Sequence, residues 1–586
     1  MPELTRRWYR KPRTWLALAV AGAIVGLACA ALLCDIAPYA GSVGATGCEA
    51  SPTLRRFRVA VAWLSGLCGV LTAALLFSGP RPSRLATDAN RLRARLRAAA
   101  AATPRADWVA LTLIVGIGVA LRAAYLTQPM RSDEAFTYTE YASLPWFVAV
   151  GYYTYPNNHI FHTLLVQAAT ALAGPAPWAI RMPAFVASVL VIPAAYAAAR
   201  ARSSPRAALW TAGLAAGSGW LTLYATNARG YSLVLLLFLA QLAAARTLVA
   251  DPERNRAAWA VFGLSGALAL FTTPGALYSV GAVTLWVAVA FGAAPRARSG
   301  AALRELLTVS AGMAVLAGYL YVPVLLDTGI RSLVANEYVV PSDLHQLEVA
   351  ARPFVQKLAS EWMLGLPLAA ALTLAVIAVV GAAREGIFWR DAPPFWIVAL
   401  GWTAALLAGT RHLPYTRVWM YLLIVTMLSA GSGLALVAGG SNRAQSKLAG
   451  RGRALLPVLL ALALATSVYR SRAVYLSDDT GTLREAPAIA AWLGDRLAPA
   501  DAVVTDAASG NTLRYYFARR GVPMSHLTQP AAVADRVYAV VNWRLAQTMD
   551  SVFATHHLAK AAYLPPTTRH AFRDATVYEL RARGSP

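Results

Sequence analysis

Apolar stretches of roughly 17–24 residues recur along this chain, and no other feature restricts its fold as severely. As helices, stretches of that length cross about 30 Å of hydrocarbon. In lipid every backbone N–H and C=O must be satisfied within the segment, so such runs dictate helices. Spans are expected near 14–34, 57–77, 107–127, 178–199, 207–225, 230–249, 257–273, 277–293, 303–326, 363–383, 395–410, 416–438 and 454–469, about thirteen in all. With 58% hydrophobic and 14% charged residues among 586, a soluble globule could not cover its apolar surface. The first run, Trp15 to Leu33, has a basic flank but lacks a small-residue cleavage site. It is read as a retained helix rather than a signal peptide.

The net charge of +25 would suggest nucleic acid in a soluble protein. Here Lys and Arg collect in short segments that alternate between spans, the pattern of topology signals and anionic-lipid contact. No basic-aromatic sheet motif or zinc-finger spacing supports a nucleic-acid partner. With the N-terminus in the cytoplasm the basic segments fall inside, and everything after residue 470 falls outside, on the periplasmic face. One apolar stretch, Ile160 to Gly174, is short for a span. Counting it would place Arg200, Arg202, Arg206, Arg296, Arg298, Arg443, Lys447, Arg451 and Arg453 outside. It is therefore expected to lie along the outer membrane surface.

Three regions follow. Residues 1–106 hold an extra pair of spans and a basic cytoplasmic segment (78–106) that suits a helix on the inner leaflet. Residues 107–470 form a transmembrane core with large external loops at 128–177 and 327–362, the second carrying Glu337, Asp343, His345, Glu348 and Lys357. Residues 471–586 form a small soluble α/β domain, with strands at Ala502–Thr505 and Val537–Val541 and helices over 484–498, 511–520 and 543–556. Cys29, Cys34, Cys48 and Cys68 lack metal-ligand spacing; Cys34 and Cys48 either pair on the oxidising side or stay as buried thiols. The fold class is thus an all-α polytopic membrane protein with a small C-terminal α/β domain.

The unusual polar residues gather at the outer face. Asp133 and Glu134, in Arg131-Ser-Asp-Glu-Ala-Phe-Thr-Tyr138, follow the third span. An ionisable pair at a membrane boundary is costly to desolvate and is read first as functional. Asn157, Asn158 and His159 precede the surface stretch, Arg229 ends the next helical pair, and Arg411, His412 and Arg417 flank the twelfth span. Carboxylates, a histidine and arginines at one face suit a phosphorylated lipid and a hydroxylated acceptor. Plainer readings stand beside these: the acidic pair can cap a loop helix or bind Arg131, Arg229 can snorkel, and His159 taken alone reads more readily as structural than as a metal ligand.

These motifs resemble a known family. The Asp-Glu pair after the first core helix is similar to the acidic signature of C-type-fold (GT-C) membrane glycosyltransferases, in the subgroup of protein O-mannosyltransferases and the lipid A aminoarabinose transferase. Tyr155-Pro-Asn-Asn-His-Ile-Phe-His-Thr-Leu-Leu165 resembles that subgroup's entry into a juxtamembrane helix. Arg181-Met-Pro-Ala-Phe185 resembles an Arg-Leu-Pro-Ser segment, and Asn227-Ala-Arg-Gly-Tyr-Ser-Leu233 a Glu-Ala-Arg-x-Tyr-Ser-Leu segment. Together they cover about residues 107–440. Two departures, Phe271-Thr-Thr-Pro-Gly275 where relatives often carry a His and Asn157-Asn158 where a Lys-Pro or Glu-Lys pair appears in the aminoarabinose transferase, put the metal site and acceptor recognition of some relatives in question here.

The resemblance implies a glycosyltransferase of the bacterial cytoplasmic membrane. It would move a hexosyl or pentosyl group from a polyprenyl-phosphate sugar, with inversion, to an envelope acceptor on the periplasmic face: glycolipid, polysaccharide or protein. Asp133 is expected as base, with Glu134 positioning it or binding a divalent cation if one is used. Arg229 and Arg417, then Arg411, are expected to hold the donor phosphate. Tyr155, Asn158 and His159 are expected to position sugar or acceptor. The alternative is a transporter or flippase of lipid-linked sugars, which would show paired half-domains and broken helices at the membrane midplane.

Overall fold

The computed structural model describes residues 52–77 and 103–583, apart from 253–254, 294–295, 335–340, 388–391, 439–446, 529–533 and 535, together with scattered residues of 87–101. The span expected at 14–34, the Cys34–Cys48 question, Glu337 and most of the basic segment 78–106 lie outside the described residues.

The elements that matter here are α1 (Pro52–Phe77), α2 (Arg105–Ala123), α3 (Ser132–Thr137), α4 (Ile160–Ala173), α5 (Pro177–Arg200), α6 (Pro205–Gly217), α7 (Gly219–Ala225), α8 (Tyr231–Ala250), α9 (Arg256–Thr272), α10 (Leu277–Ala293), α11 (Arg296–Leu320), α12 (Leu344–Trp362), α13 (Leu368–Ile387), α14 (Phe395–Thr410), α15 (Met420–Val437) and α16 (Lys447–Arg470). Each described stretch expected to span falls on helix. Among the described residues seven helices are long and apolar enough to cross a membrane, and four further apolar helices are shorter. The chain is an integral membrane protein with a mainly helical body. The bundle is built on α5, α6, α8 and α15, against which α2, α9, α13 and α16 pack. Small residues set the closest approach: a Cβ on Gly381 of α13 would lie 2.0 Å from the Ser429 carbonyl oxygen, and one on Gly433 of α15 would lie 2.2 Å from that of Ile377. Without a hydrophobic drive between helices in lipid, such backbone contact is what holds them together.

Two expected spans are broken; 303–326 divides at Tyr321, where α11 ends and a short helix, Val322–Asp327, begins. The stretch 207–225 divides at Ser218, whose extended backbone (φ −69°, ψ 124°) ends α6 and whose hydroxyl caps α7 by accepting from the Leu221 amide. A second unwound stretch, Thr226 to Gly230, separates α7 from α8 and carries Arg229. The surface stretch expected at 160–174 is α4, a 14-residue helix. The loop at 327–362 contains more order than expected: α12 is a 19-residue helix started by Asp343, whose carboxylate accepts from the Gln346 amide at 2.7 Å.

The C-terminal region has a four-stranded sheet, with β1 (Ala502–Val504), β2 (Arg536–Val541), β3 (Thr567–Ala571) and β4 (Thr576–Arg581). Strand order is β1-β2-β4-β3, parallel between β1 and β2 and antiparallel elsewhere. The first two strands match the apolar runs; the last two were not read from sequence, because polar residues interrupt them. Helices α17 (Ala486–Gly494), α18 (Ala507–Arg520) and α19 (Met549–Thr555) complete it. It shares a core with the membrane body: Met130, Ala135, Val166, Ile180 and Ala228 pack in one cluster with Leu483, Ile489, Leu513, Phe517 and Val577. Helix α18 lies against α3.

Candidate active site

Helix α3 begins with an extended residue, Arg131, and its first turn contains both acids. Their side chains part at once. Glu134 is fully buried. Its Oε1 accepts from the Arg131 amide at 2.8 Å and from Arg181 Nη2; its Oε2 accepts from Arg181 Nε at 3.0 Å and from the Ala228 amide at 2.9 Å. Arg181 spends its other hydrogens on the carbonyls of Leu126, Gln128 and Pro129. This bidentate pair fastens α3 to α5 and to the unwound stretch before α8. Both Glu134 oxygens are thereby committed.

Asp133 turns the other way. Its Oδ2 lies 3.4 Å from Arg417 Nη2 and 3.9 Å from Arg229 Nη2, and Oδ1 accepts from Asn157 Nδ2 at 3.4 Å. No hydrogen-bond partner reaches the buried Oδ2. Arg229, 1% exposed, donates from Nη1 to Thr137 Oγ1 and to the Asn157 carbonyl, leaving Nε without an acceptor. Arg417 is also buried; Nε donates to Tyr231 Oη at 3.0 Å and the guanidinium lies 4.1 Å from the centre of the Tyr415 ring. A carboxylate with a free oxygen thus faces two arginines contributed by helices far apart in sequence.

His159 adds a third group. Its Nδ1 accepts from the Gly230 amide at 2.8 Å, so the neutral ring carries its proton on Nε2, and that atom faces Arg229 Nη2 at 3.3 Å. Burial first, then the Arg229 charge, hold this imidazole well below its ordinary pKa and therefore neutral. Two donors side by side form a position for an acceptor such as an anionic oxygen.

Other expected residues are placed elsewhere. Asn158 is buried; its amide donates to the carbonyls of Ala149 and Tyr152, and its oxygen accepts from Thr163. The side chain is turned into the loop, and its neighbour Asn157 meets Asp133 instead. Arg411 is exposed in a left-handed conformation (φ 51°) at the end of α14, with no contact to Asp133 or Arg229 among the described interactions. Tyr155, 41% exposed, packs edge-on against Phe136 at the rim. A resident divalent cation does not suit the acidic pair, because Glu134 is committed to Arg181 and Asp133 faces two guanidinium groups. Among the described residues no three His, Cys, Asp or Glu side chains are grouped to hold a metal ion.

Two carboxylates at this site escaped sequence reasoning. Asp479, in the connector between α16 and the sheet region, approaches Arg417 Nη1 at 3.6 Å and accepts from the Tyr224 hydroxyl. The available signal was Asp478-Asp479, a second adjacent acid pair just past a span on the expected outer side. Glu361 closes α12 beside Thr416; burial pushes its carboxyl up to about 7, and one oxygen has no partner. Tyr231 and Arg181 stand inside motifs quoted above, but no role had been attached to either.

A small apolar cleft reaches Arg417 and Tyr231. Val234 and Leu235 of α8, Ala276 before α10, and Met420 and Tyr421 of α15 line it. Its polar end is the arginine and its walls are the starts of three membrane helices.

No family model matches this sequence, and no curated protein matches it. Solved structures do. ArnT from Cupriavidus metallidurans in the apo state is similar over 80% of this chain and 97% of its own, at 15% identity and a TM-score of 0.51. The same protein bound to undecaprenyl phosphate gives 14% identity, 81% and 98% coverage, and a TM-score of 0.52. The archaeal oligosaccharyltransferase AglB from Archaeoglobus fulgidus overlaps less, with 13% identity, 75% and 69% coverage, and a TM-score of 0.48. The chain has the GT-C fold.

Proposed function

We propose that this GT-C-fold protein is an inverting glycosyltransferase that moves a sugar from a polyprenyl-phosphate donor to an envelope acceptor. The observation that carries the reading is the meeting of Arg229, Arg417 and the unsatisfied Oδ2 of Asp133, with Arg417 also lining a small apolar cleft between membrane helices. A lipid phosphate is the ligand whose two ends match those two surfaces: charge for the arginines, hydrocarbon for the cleft. That a structure of this fold holds undecaprenyl phosphate supports the same donor class.

In this reading Asp133 accepts the proton of the acceptor hydroxyl as the oxygen attacks the anomeric carbon. The bond to the lipid phosphate breaks on the opposite side, and negative charge grows on the departing phosphate oxygen. Arg229 and Arg417 stabilise that charge, with the His159 Nε2–H beside Arg229 as a further donor. Asn157 orients Asp133, and Tyr155 stands where a sugar or acceptor enters. Glu134 holds α3 in place, so its contribution is positional. The basic segments between spans support a cytoplasmic N-terminus and a site on the periplasmic face of the bacterial cytoplasmic membrane. Asp133, Arg229 and Arg417 share one end of the bundle, which suits chemistry at a surface better than passage through the midplane.

The test is a deletion strain complemented with wild type or Asp133→Asn, with envelope glycans read by mass spectrometry. A glycan that disappears on deletion and returns with wild type alone is the expected result. If Asp133→Asn restores it fully, Asp133 is not the base.

A further inference from the structure

Arg417 is flanked by two carboxylates that arrive from unconnected parts of the chain. Asp133 approaches Nη2 at 3.4 Å and Asp479 approaches Nη1 at 3.6 Å. Both separations exceed the roughly 2.7–2.9 Å of a closed charge-assisted hydrogen bond, so neither carboxylate is locked to the guanidinium. With Arg229 included, two cations meet two anions, and the cradle is balanced in charge without any lipid. A phosphate drawn to Arg229 and Arg417 adds negative charge to a buried place, where uncompensated charge is costly. One of the resident carboxylates must then withdraw.

Asp133 has little freedom to do so, because the Glu134–Arg181 pair fixes α3. Asp479 has more. It sits in the connector 477–482, followed by two residues in left-handed conformation, Thr480 (φ 67°) and Gly481 (φ 73°). Its other oxygen already accepts from the Tyr224 hydroxyl, and its backbone carbonyl is held by Arg131 Nη1 at 2.9 Å. The carboxylate can therefore rotate off Arg417 towards Tyr224 while the connector stays in place.

We propose that Asp479 is an internal counter-ion of Arg417, which the donor's lipid phosphate displaces on binding and which returns as the product lipid leaves. The inference rests on the reading of Arg229 and Arg417 as phosphate-binding residues. Asp479 keeps Arg417 paired and aligned while the site is empty, lowers affinity for the phosphate, and favours its release. Tyr224 holds the carboxylate when it is displaced.

The experiment measures binding of undecaprenyl phosphate and of uncharged undecaprenol to the full-length protein in nanodiscs. Asp479→Asn is expected to bind the phosphate about 5- to 20-fold more tightly, with affinity for the alcohol unchanged. Tyr224→Phe, which removes the holding group, is expected to weaken phosphate binding by about two- to fivefold. An Asp479→Asn variant with unchanged or weaker phosphate binding overturns the proposal, as does an equal change for both lipids. Should Asp479→Asn fail to fold, Tyr224→Phe decides: phosphate binding at or above the wild-type level overturns it. Arg417→Ala tests the underlying reading separately. If that variant retains wild-type phosphate affinity, the phosphate site itself is wrong whatever Asp479 does.

Discussion

Two carboxylate–arginine regions begin one residue apart and have opposite character. Around Glu134 every oxygen is bonded, Arg181 grips it from two directions, and nothing is exposed. Around Asp133 the charges face one another at 3.4–3.9 Å, one oxygen is unclaimed, and the side chain is 20% exposed. A buried ion pair with all bonds made specifies geometry, and breaking it exposes an uncompensated charge. A buried set with bonds left open is poised to receive something. The contrast teaches that an acidic dipeptide beside a membrane is not one unit: one acid is fully committed to holding its helix and its neighbour keeps an oxygen open.

The largest expected effect attacks the open region. Asp133→Asn should lower transfer by about 10²–10⁴-fold with an unchanged melting temperature, measured by turnover and thermal unfolding in detergent. Next, Arg181→Ala strands Glu134 and should destabilise the protein by about 3–5 kcal/mol, seen as a lower melting temperature and poor recovery. A stable Arg181→Ala with wild-type turnover would erase the distinction between the two regions. Arg417→Ala should weaken donor binding by about 10- to 100-fold, the loss of a charged hydrogen bond, and should also lower the melting temperature, because it leaves Asp133 and Asp479 without their shared cation.

A smaller effect concerns pH. Burial raises the Glu361 carboxyl from 4.5 to about 7, so its protonated form is the one the fold favours. Its contribution to stability is complete below about pH 4.5 and is lost as pH rises through 7. The melting temperature should fall modestly across that window, and Glu361→Gln should flatten the fall. The smallest effect is Arg411→Ala: exposed and away from the cradle, it should change donor binding by less than about twofold.

Much of the fold was legible because lipid leaves the backbone few choices. Run lengths located the described membrane helices, and the short run at 160–174 is the 14-residue helix α4. The acids and arginines were legible for a related reason, since charge is rare in such a chain and each exception stands out. What could not be read was direction. Nothing in Asp-Glu or Asn-Asn says which member faces the site, because that is decided by tertiary partners such as Arg181, which holds Glu134 from α5, and the carbonyls of Ala149 and Tyr152, which hold Asn158. Arg411 and Arg417 are six residues apart, yet Arg411 ends α14 exposed and in a left-handed conformation, while Arg417 is buried in the turn before α15. Asp479 was hidden because the C-terminal region looked separable, whereas its connector returns to the acidic helix.

That connector has a practical meaning for anyone recombining proteins of this fold. Arg131 donates to the carbonyls of Val474, Ser477 and Asp479, the Ser132 and Asp133 amides donate to those of Gly481 and Thr480, and Arg484 ties Tyr475 and Leu476 to Asp574. A chimera cut where the last membrane helix ends, near residue 470, would carry away the strip against which the acidic helix is seated. The head can be exchanged only at a junction beyond Arg484, with residues 472–484 inherited from the membrane parent. Its contacts with α18 would then need matching: Asn511 to Ser132, Tyr516 to the Met130 amide, and Arg514 to Glu140.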